Sequence, residues 1–440
     1  MAPVDPAPLI PPPPPARLRT DVFVTFGGKA ATLLLSLAIA VVVARQLGPS
    51  GQGVFAVAYS VSLLLVQFGG LGLTTANPYF ATRDRSKVGP ILSNSLWAAT
   101  GLGLGLIAAA LAIKMLFPGA LAGLGWTPFA IMLAGVPAGL AGVFLQSLLL
   151  AEGRMVAFNA VEVGQVALTL GALVLGFAFF DFHLAGALVV IGAGRYFAAA
   201  VYTVLLLRHR PFLRRLDVPL ARAMLAYGFR VYVALLVSLL VIRLDLLLVN
   251  GYLGKHEAGL YSVAAALADG LFVLPMVVGL NLFPRVARGD PLEASAEVFR
   301  SVAVLYGLVC LLTVPVAGPA IRLVFGGDFA GATSLYYWLL PGIFSLGVVT
   351  MISQHFAGRG FPVEAMAIWF VGLAVNLAIN VAFLPGRGAW VAALASSVAY
   401  AIVLALHVRL FAKEAGGLRV MRPRVREVVR FVRVALTRAA

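Results

Sequence analysis

Apolar stretches of 20 or more residues recur along the chain from residue 22 to residue 411, each closed by a short polar or basic break. At a rise of 1.5 Å per residue, such a stretch crosses a hydrocarbon core of about 30 Å. The pattern predicts twelve spans: roughly 22–44, 52–76, 91–115, 127–150, 156–180, 184–207, 223–250, 258–283, 299–325, 331–355, 362–384 and 389–411. Within a bilayer no water satisfies exposed backbone groups, and a barrel would require alternating strands, so the spans are predicted as helices. The expected fold is therefore an all-α polytopic membrane protein with about twelve transmembrane helices. No connecting loop exceeds about 16 residues, which leaves no soluble lobe for a nucleotide site or a catalytic domain.

The most polar break, RHRPFLRRLDVPLAR (208–222), divides the spans six and six. A repeat supports that division. LGPSGQGVFAVA (47–58) follows span one, and LGKHEAGLYSVA (253–264) follows span seven. Gly48 corresponds to Gly254, Gly53 to Gly259, Ala58 to Ala264 and, some 20 residues on without a gap, Pro78 to Pro284, each 206 positions apart. The expected organisation is a proline-rich tail (1–21), an N-terminal lobe of spans one to six (22–207), a basic linker (208–222), a C-terminal lobe of spans seven to twelve (223–411) and a basic tail (412–440). An even number of spans per half relates the lobes by a pseudo-two-fold axis along the membrane normal, as in parallel-repeat transporters. Two such lobes suit alternating access, with the substrate between them.

Composition agrees with the pattern. The 440 residues are 61% hydrophobic and only 11% charged, with a mean hydropathy of +0.99, whereas about a quarter of the residues of a soluble domain are charged. The net charge of +16 would suggest nucleic acid in a soluble protein. Here the basic residues crowd one set of loops, from Arg83, Arg85 and Lys87 through Arg154, Arg208–Arg222, Arg285, Arg288, Arg300 and Arg359 to eight in the tail. The opposite loops hold Arg45, Lys255 and Arg387. That bias places both termini in the cytoplasm and the basic face against anionic lipid, and excludes nucleic acid as a partner. Cys310 is the only cysteine, and the five histidines are scattered without ligand spacing, so neither a disulfide, a metal site nor a cofactor is expected. Gly101, Gly103 and Gly105 lack the strand and Lys-Ser/Thr of a phosphate loop and are read as close helix packing. Pro137, Pro275, Pro315, Pro319 and Pro341 fall inside spans and are expected to bend them.

Ionisable residues at membrane depth cost several kcal/mol unless paired or hydrated, which makes them functional candidates. They are Lys29, Glu162, Arg195, Arg230, Arg243, Asp245, Asp269 and Arg322. Positives outnumber negatives five to three, and a purely structural set would tend to balance. Arg243 and Asp245 are two residues apart, about 200° around a helix, and cannot pair with each other. Each then needs its own partner or water: a basic group from a neighbouring helix is the candidate for Asp245, and a hydrated cavity or Asp269 for Arg243; Asp269 is equally a candidate partner for Lys29. Arg195 and Glu162, on consecutive helices, are expected to form an ion pair. Arg322, near an outer helix end, is expected to snorkel, and Arg230 could do the same at the inner face. Guanidinium binds phosphate oxygens in pairs and keeps its charge when desolvated, so a cationic cavity favours a phosphate-bearing cargo.

Three strings share a family resemblance. RLDLLLVNGYLGKHEAGLYSVAAALADGLFVLPMVVGLNLFPRVAR (243–288), VVARQLGPSGQGVFAVA (41–57) and AVNLAINVAFLPGRGAWVAALASSVAY (374–400), with Asn376 and Asn380 four apart, occur in that family's order. The chain resembles the polysaccharide-flippase branch of the multidrug/oligosaccharidyl-lipid/polysaccharide exporter superfamily. The resemblance implies a non-enzymatic flippase of the bacterial inner membrane that carries undecaprenyl-pyrophosphate-linked oligosaccharide across it by alternating access. It implies a cation-lined cavity formed by helices one, two, seven and eight. Substrate binding then falls to Arg243, Lys29 and Arg230, and charge partnership or coupling to Asp245 and Asp269. Polysaccharide polymerase or export machinery are further possible partners. Unlike the peptidoglycan-precursor flippases, the chain carries no two extra C-terminal helices. The alternatives are an H⁺- or Na⁺-coupled multidrug antiporter of the same superfamily, which would use more acid than base in the spans, and a membrane enzyme, which would need a large extramembrane loop.

Overall fold

The computed structural model describes residues 15–421 except 118, 120–122, 209–215, 273, 277, 280–281, 283–285, 287–290 and 360–361. The segment 1–14, residues 209–215 of the linker, Pro284 and the basic tail beyond 421 lie outside the described residues. Among the described residues the regular structure is helical: α1 (Pro15–Gly70), α2 (Leu73–Arg83), α3 (Val88–Leu116), α4 (Trp126–Ala134), α5 (Val136–Ala151), α6 (Met155–Phe179), α7 (Leu184–Leu207), α8 (Val218–Leu253), α9 (Lys255–Leu271), α10 (Leu292–Val324), α11 (Ala332–Gly358), α12 (Val363–Phe383) and α13 (Trp390–Glu414).

Ten helical stretches among the described residues are long and apolar enough to cross a membrane. The other two expected spans are accounted for directly. α1 counts once but bends at Gly48 and carries spans one and two. α9, with 17 described residues, is the start of span eight. Span four is two helices, divided at Gly135, with Pro137 in the first turn of α5, where a missing N–H costs nothing.

The chain forms two compact units, Met1–Ile39 with Ala58–Ala120 and Leu124–Leu236, and Ala40–Val57 with Leu121–Gly123 and Val237–Ala440. The boundary falls inside α1 and α8 rather than in the linker. α8 has 36 residues, far more than one crossing needs, so its two ends find different neighbours. In the first unit α5 is the hub, with Leu140, Phe144, Leu145, Leu148 and Leu149 fully buried. In the second, α11 packs on α9, α10 and α13; one end of its core holds Phe299, Met351, Ile352, Phe356 and Phe411.

The repeat is written into the backbone. Gly48 sits at φ 64°, ψ 179° and Gly254 at φ 87°, ψ 177°. Both end the first helix of their half in a conformation that only glycine adopts without strain. Five residues on, the contact is reciprocal. A Cβ on Gly53 would lie 1.8 Å from the Lys255 carbonyl oxygen, and one on Gly259 would lie 1.9 Å from that of Pro49. Pro49 and Lys255 are themselves 206 apart. Each copy of the motif therefore rests its backbone on the other, the self-complementary contact that a two-fold relation generates. Gln52 Nε2 donates to Ser262 Oγ (3.2 Å) beside it.

Candidate functional site

Three of the candidate charges of the second unit, Arg243, Asp245 and Asp269, lie on α8 and α9. Arg243 is eleven residues from the start and ten from the end of the apolar stretch Tyr232–Leu253, so it sits mid-span. Its Nη2 donates to Asp269 Oδ2 at 3.2 Å, and the two side chains stay 33% and 38% exposed. Of the two partners considered for Asp269, the structure selects Arg243. A guanidinium at that depth is costly to expose to acyl chains, and the ion pair with Asp269 offsets part of that cost.

Asp245 faces the other way and is fully buried. Among the described residues no basic group meets it, so the cationic partner considered for it is not found there. Its Oδ1 accepts from Asn380 Nδ2 (2.8 Å), and its Oδ2 accepts from the Tyr261 hydroxyl (3.2 Å) and from Ser396. Three neutral donors from α12, α9 and α13 satisfy a carboxylate as a cation would, without desolvating a second charge. Asn380 Nδ2 also reaches the Asn376 carbonyl and Oδ1 (3.0 and 3.2 Å). Asn380 Oδ1 is buried and lacks a partner. Tyr261, Asn376, Asn380 and Ser396 were legible only as letters in family-like strings. The local signal was two asparagines four apart on an apolar helix, one face of it polar.

In the first unit, Lys29 Nζ lies 2.6 and 2.8 Å from the two Glu162 oxygens and 5.2 Å from the Phe158 ring centroid. The two side chains are 31% and 18% exposed. The expected Arg195–Glu162 pair is therefore not formed, and Lys29 is not the partner of Asp269. Arg195 instead donates to Ser62 Oγ and lies over the Tyr59 ring at 5.3 Å, while Ser62 donates to the Met132 carbonyl. Depth explains the switch. Glu162 is seven residues from the start of α6, whereas Arg195 is twelve from the end of α7, which places them about 8 Å apart along the membrane normal. Arg322 is exposed in the last turn of α10, as expected of a snorkelling side chain. Arg230 lies on α8, and its side chain is outside the described residues.

Among the described residues no three His, Cys, Asp or Glu side chains gather as a metal site. Around Asp245 the available ligands are oxygens with a single carboxylate, a donor set whose chemistry suits a proton or a small monovalent cation. Arg243 and Lys29 are each held by a carboxylate, with their side chains about a third exposed.

The repeated glycine motif, the membrane-length helices and the charges paired within them describe a helical membrane fold. Solved structures share the fold. A structure described as lipid II flippase MurJ, inward closed conformation, superposes with a TM-score of 0.73 at 13% identity, over 92% of this chain and 89% of that one. An inward-facing multidrug resistance MATE transporter of the MOP superfamily gives 0.69 at 14%, over 88% and 95%. A Vibrio cholerae MATE transporter, VcmN in the bent form, gives 0.58 at 14%, over 91% and 97%. The sequence family model for "Polysaccharide biosynthesis protein" matches residues 18–289, and the chain belongs to that family. Its ten apolar, membrane-length helical stretches among the described residues make it a multi-pass membrane protein, with the fold that these flippase and transporter structures share. No curated protein matches the sequence.

Proposed function

We propose that the protein flips an oligosaccharide linked to undecaprenyl pyrophosphate from the cytoplasmic to the outer leaflet of the bacterial inner membrane by alternating access, with both termini in the cytoplasm. The observation that carries this reading is the mid-span Arg243, ion-paired to Asp269 and still a third exposed. Membership of the polysaccharide biosynthesis family supports it. An ionised guanidinium already oriented by a carboxylate can exchange that carboxylate for phosphate oxygens as the headgroup arrives. Lys29, tethered to Glu162, offers a second cation of the same kind in the first unit. Asp245 is positioned differently, buried beneath neutral donors, and is the residue we assign to coupling by H⁺ or Na⁺.

The test is polysaccharide export in cells carrying Arg243→Ala, with membrane insertion checked in parallel. Export should fall by more than tenfold while insertion is kept; near-normal export would overturn the assignment. Arg243→Lys should recover little, because one ammonium cannot make the paired contact. If the double exchange Arg243→Asp, Asp269→Arg restored export, the pair would be structural. The antiporter reading of the same fold predicts loss of resistance to cationic drugs instead, so susceptibility measured on the same strains separates the two.

A further inference from the structure

Two grooves flank one ridge of the first unit, at the start of α8. The ridge is Ala221 and Leu225, which line both. On one side a groove of about 320 Å³ runs along α3, walled by Leu71, Trp97, Gly101 and Leu102, with Met224 of α8. On the other, an opening of about 640 Å³ is lined by Val218, Arg222, Ala226 and Phe229. Trp97 is 47% exposed and Phe229 is 54% exposed.

The walls are held before anything binds. Asp217 N donates to Asn94 Oδ1 and Asn94 Nδ2 donates back to the Asp217 carbonyl, both at 2.9 Å, which ties the foot of α8 to α3. Asp217 Oδ1 also caps α8 by accepting from Leu220 N (3.0 Å). The Gly72 and Gly228 backbones touch so closely that a Cβ on either would lie within 2.3 Å of the other. Tyr79 and Tyr227 stack at 3.8 Å between centroids.

The acidic group at the foot of α8, Asp217, has one carboxylate oxygen taken up in capping the helix. Arg222, exposed, is the only charged residue lining either groove among the described residues. The same end of the unit presents the exposed Arg83 in the last turn of α2 and the exposed Arg85 and Lys87 just before α3, three bases against the one carboxylate of Asp84, which lies 3.6 Å from Lys87. Trp97 lies ten residues into α3 from Lys87, about 15 Å deeper. An anion is thus favoured at the mouth and hydrocarbon below it. Two grooves parted by one ridge suit two chains, and a single guanidinium suits one phosphodiester.

We propose that this is a seat for one diacyl anionic phospholipid, with its phosphate at Arg222 and its acyl chains on either side of the Ala221–Leu225 ridge. It is independent of what the protein transports. Phosphatidylglycerol is the probe. The full-length protein is reconstituted in phosphatidylcholine vesicles containing a minor fraction of either lipid brominated on its acyl chains. The quenching of Trp97 is taken as the difference between wild type and Trp97→Phe, which spares the other four tryptophans. Brominated phosphatidylglycerol should exchange onto the site about fivefold more strongly than brominated phosphatidylcholine, the preference that one guanidinium at a surface confers. Arg222→Ala should abolish that preference. A Cβ on Gly101 or on Gly105 meets nothing within 4 Å. Gly101→Phe should therefore fill the groove and reduce quenching without disturbing packing, whereas Gly105→Phe, outside the groove, should not. Equal quenching by the two lipids, or a preference that survives Arg222→Ala, would overturn the proposal. So would displacement of phosphatidylglycerol by equimolar undecaprenyl phosphate, which would assign the seat to a single-chain carrier.

Discussion

The reciprocal glycine contact gives the sharpest quantitative prediction. Adding one methyl at Gly53 places a carbon 1.8 Å from a backbone oxygen, and at Gly259 1.9 Å from its counterpart. No rotamer relieves a backbone clash, so the two segments must part by more than about 1 Å before ordinary van der Waals contact returns. Overpacking of this kind costs about 1–3 kcal/mol. For a unit of about 200 residues that corresponds to a fall in Tm of about 2–4 °C per kcal/mol. Once either methyl has opened the contact, the second meets less resistance. The double variant Gly53→Ala, Gly259→Ala should therefore be less destabilised than the summed singles, with a coupling of about 0.5–3 kcal/mol. Thermal unfolding of the purified protein measures the cycle. Gln52 is 4% exposed and sits beside the contact. A cysteine at that position should react slowly with a water-soluble maleimide, and faster when Gly53→Ala is added; Cys310, the only native cysteine, is buried. Single variants with unchanged Tm, or strictly additive costs, would refute the claim that these glycines are there to let two backbones touch.

Other variants probe the buried and half-buried charges. Asn380→Leu removes one donor from a fully buried carboxylate and should cost about 1–3 kcal/mol in stability, whereas Asp245→Asn should fold well and abolish the dependence of transport on the coupling ion. Transport by Asp245→Asn with an intact ion gradient response would remove Asp245 from coupling. In the first unit, Lys29→Met and Glu162→Gln each strand a partly buried charge and should destabilise more than the double variant, which thermal unfolding will show. Arg195→Met should leave the Lys29–Glu162 pair intact, so its effect should add to that of Lys29→Met rather than couple with it.

The twelve spans were legible because hydrophobic length is a one-dimensional property. A bilayer requires about 20 apolar residues and internally satisfied backbones, whatever the neighbours. The repeat was legible for a similar reason. At Gly48 and Gly254 the requirement is a positive φ, and at Gly53 and Gly259 it is the absence of a side chain, demands that leave few other residue types available. Even the angular argument that separates Arg243 from Asp245 needed only the helical period.

Partnership required three dimensions. Which carboxylate meets which cation depends on depth, rotation and the identity of the facing helix, none of which follows from adjacency in sequence. Glu162 and Arg195 lie on consecutive helices yet miss each other in depth, so Lys29, 133 residues away, takes the carboxylate. Asp245 resembled one half of an ion pair until α9, α12 and α13 brought a phenol, an amide and a hydroxyl to it. The amino-acid order alone settled what had to lie in the membrane and where the chain had to bend. Only the packing of the helices decided which charges pair at partly exposed positions and which are sealed, because the electrostatic energy of a group is set by the atoms within a few ångströms of it, and those come from distant parts of the chain.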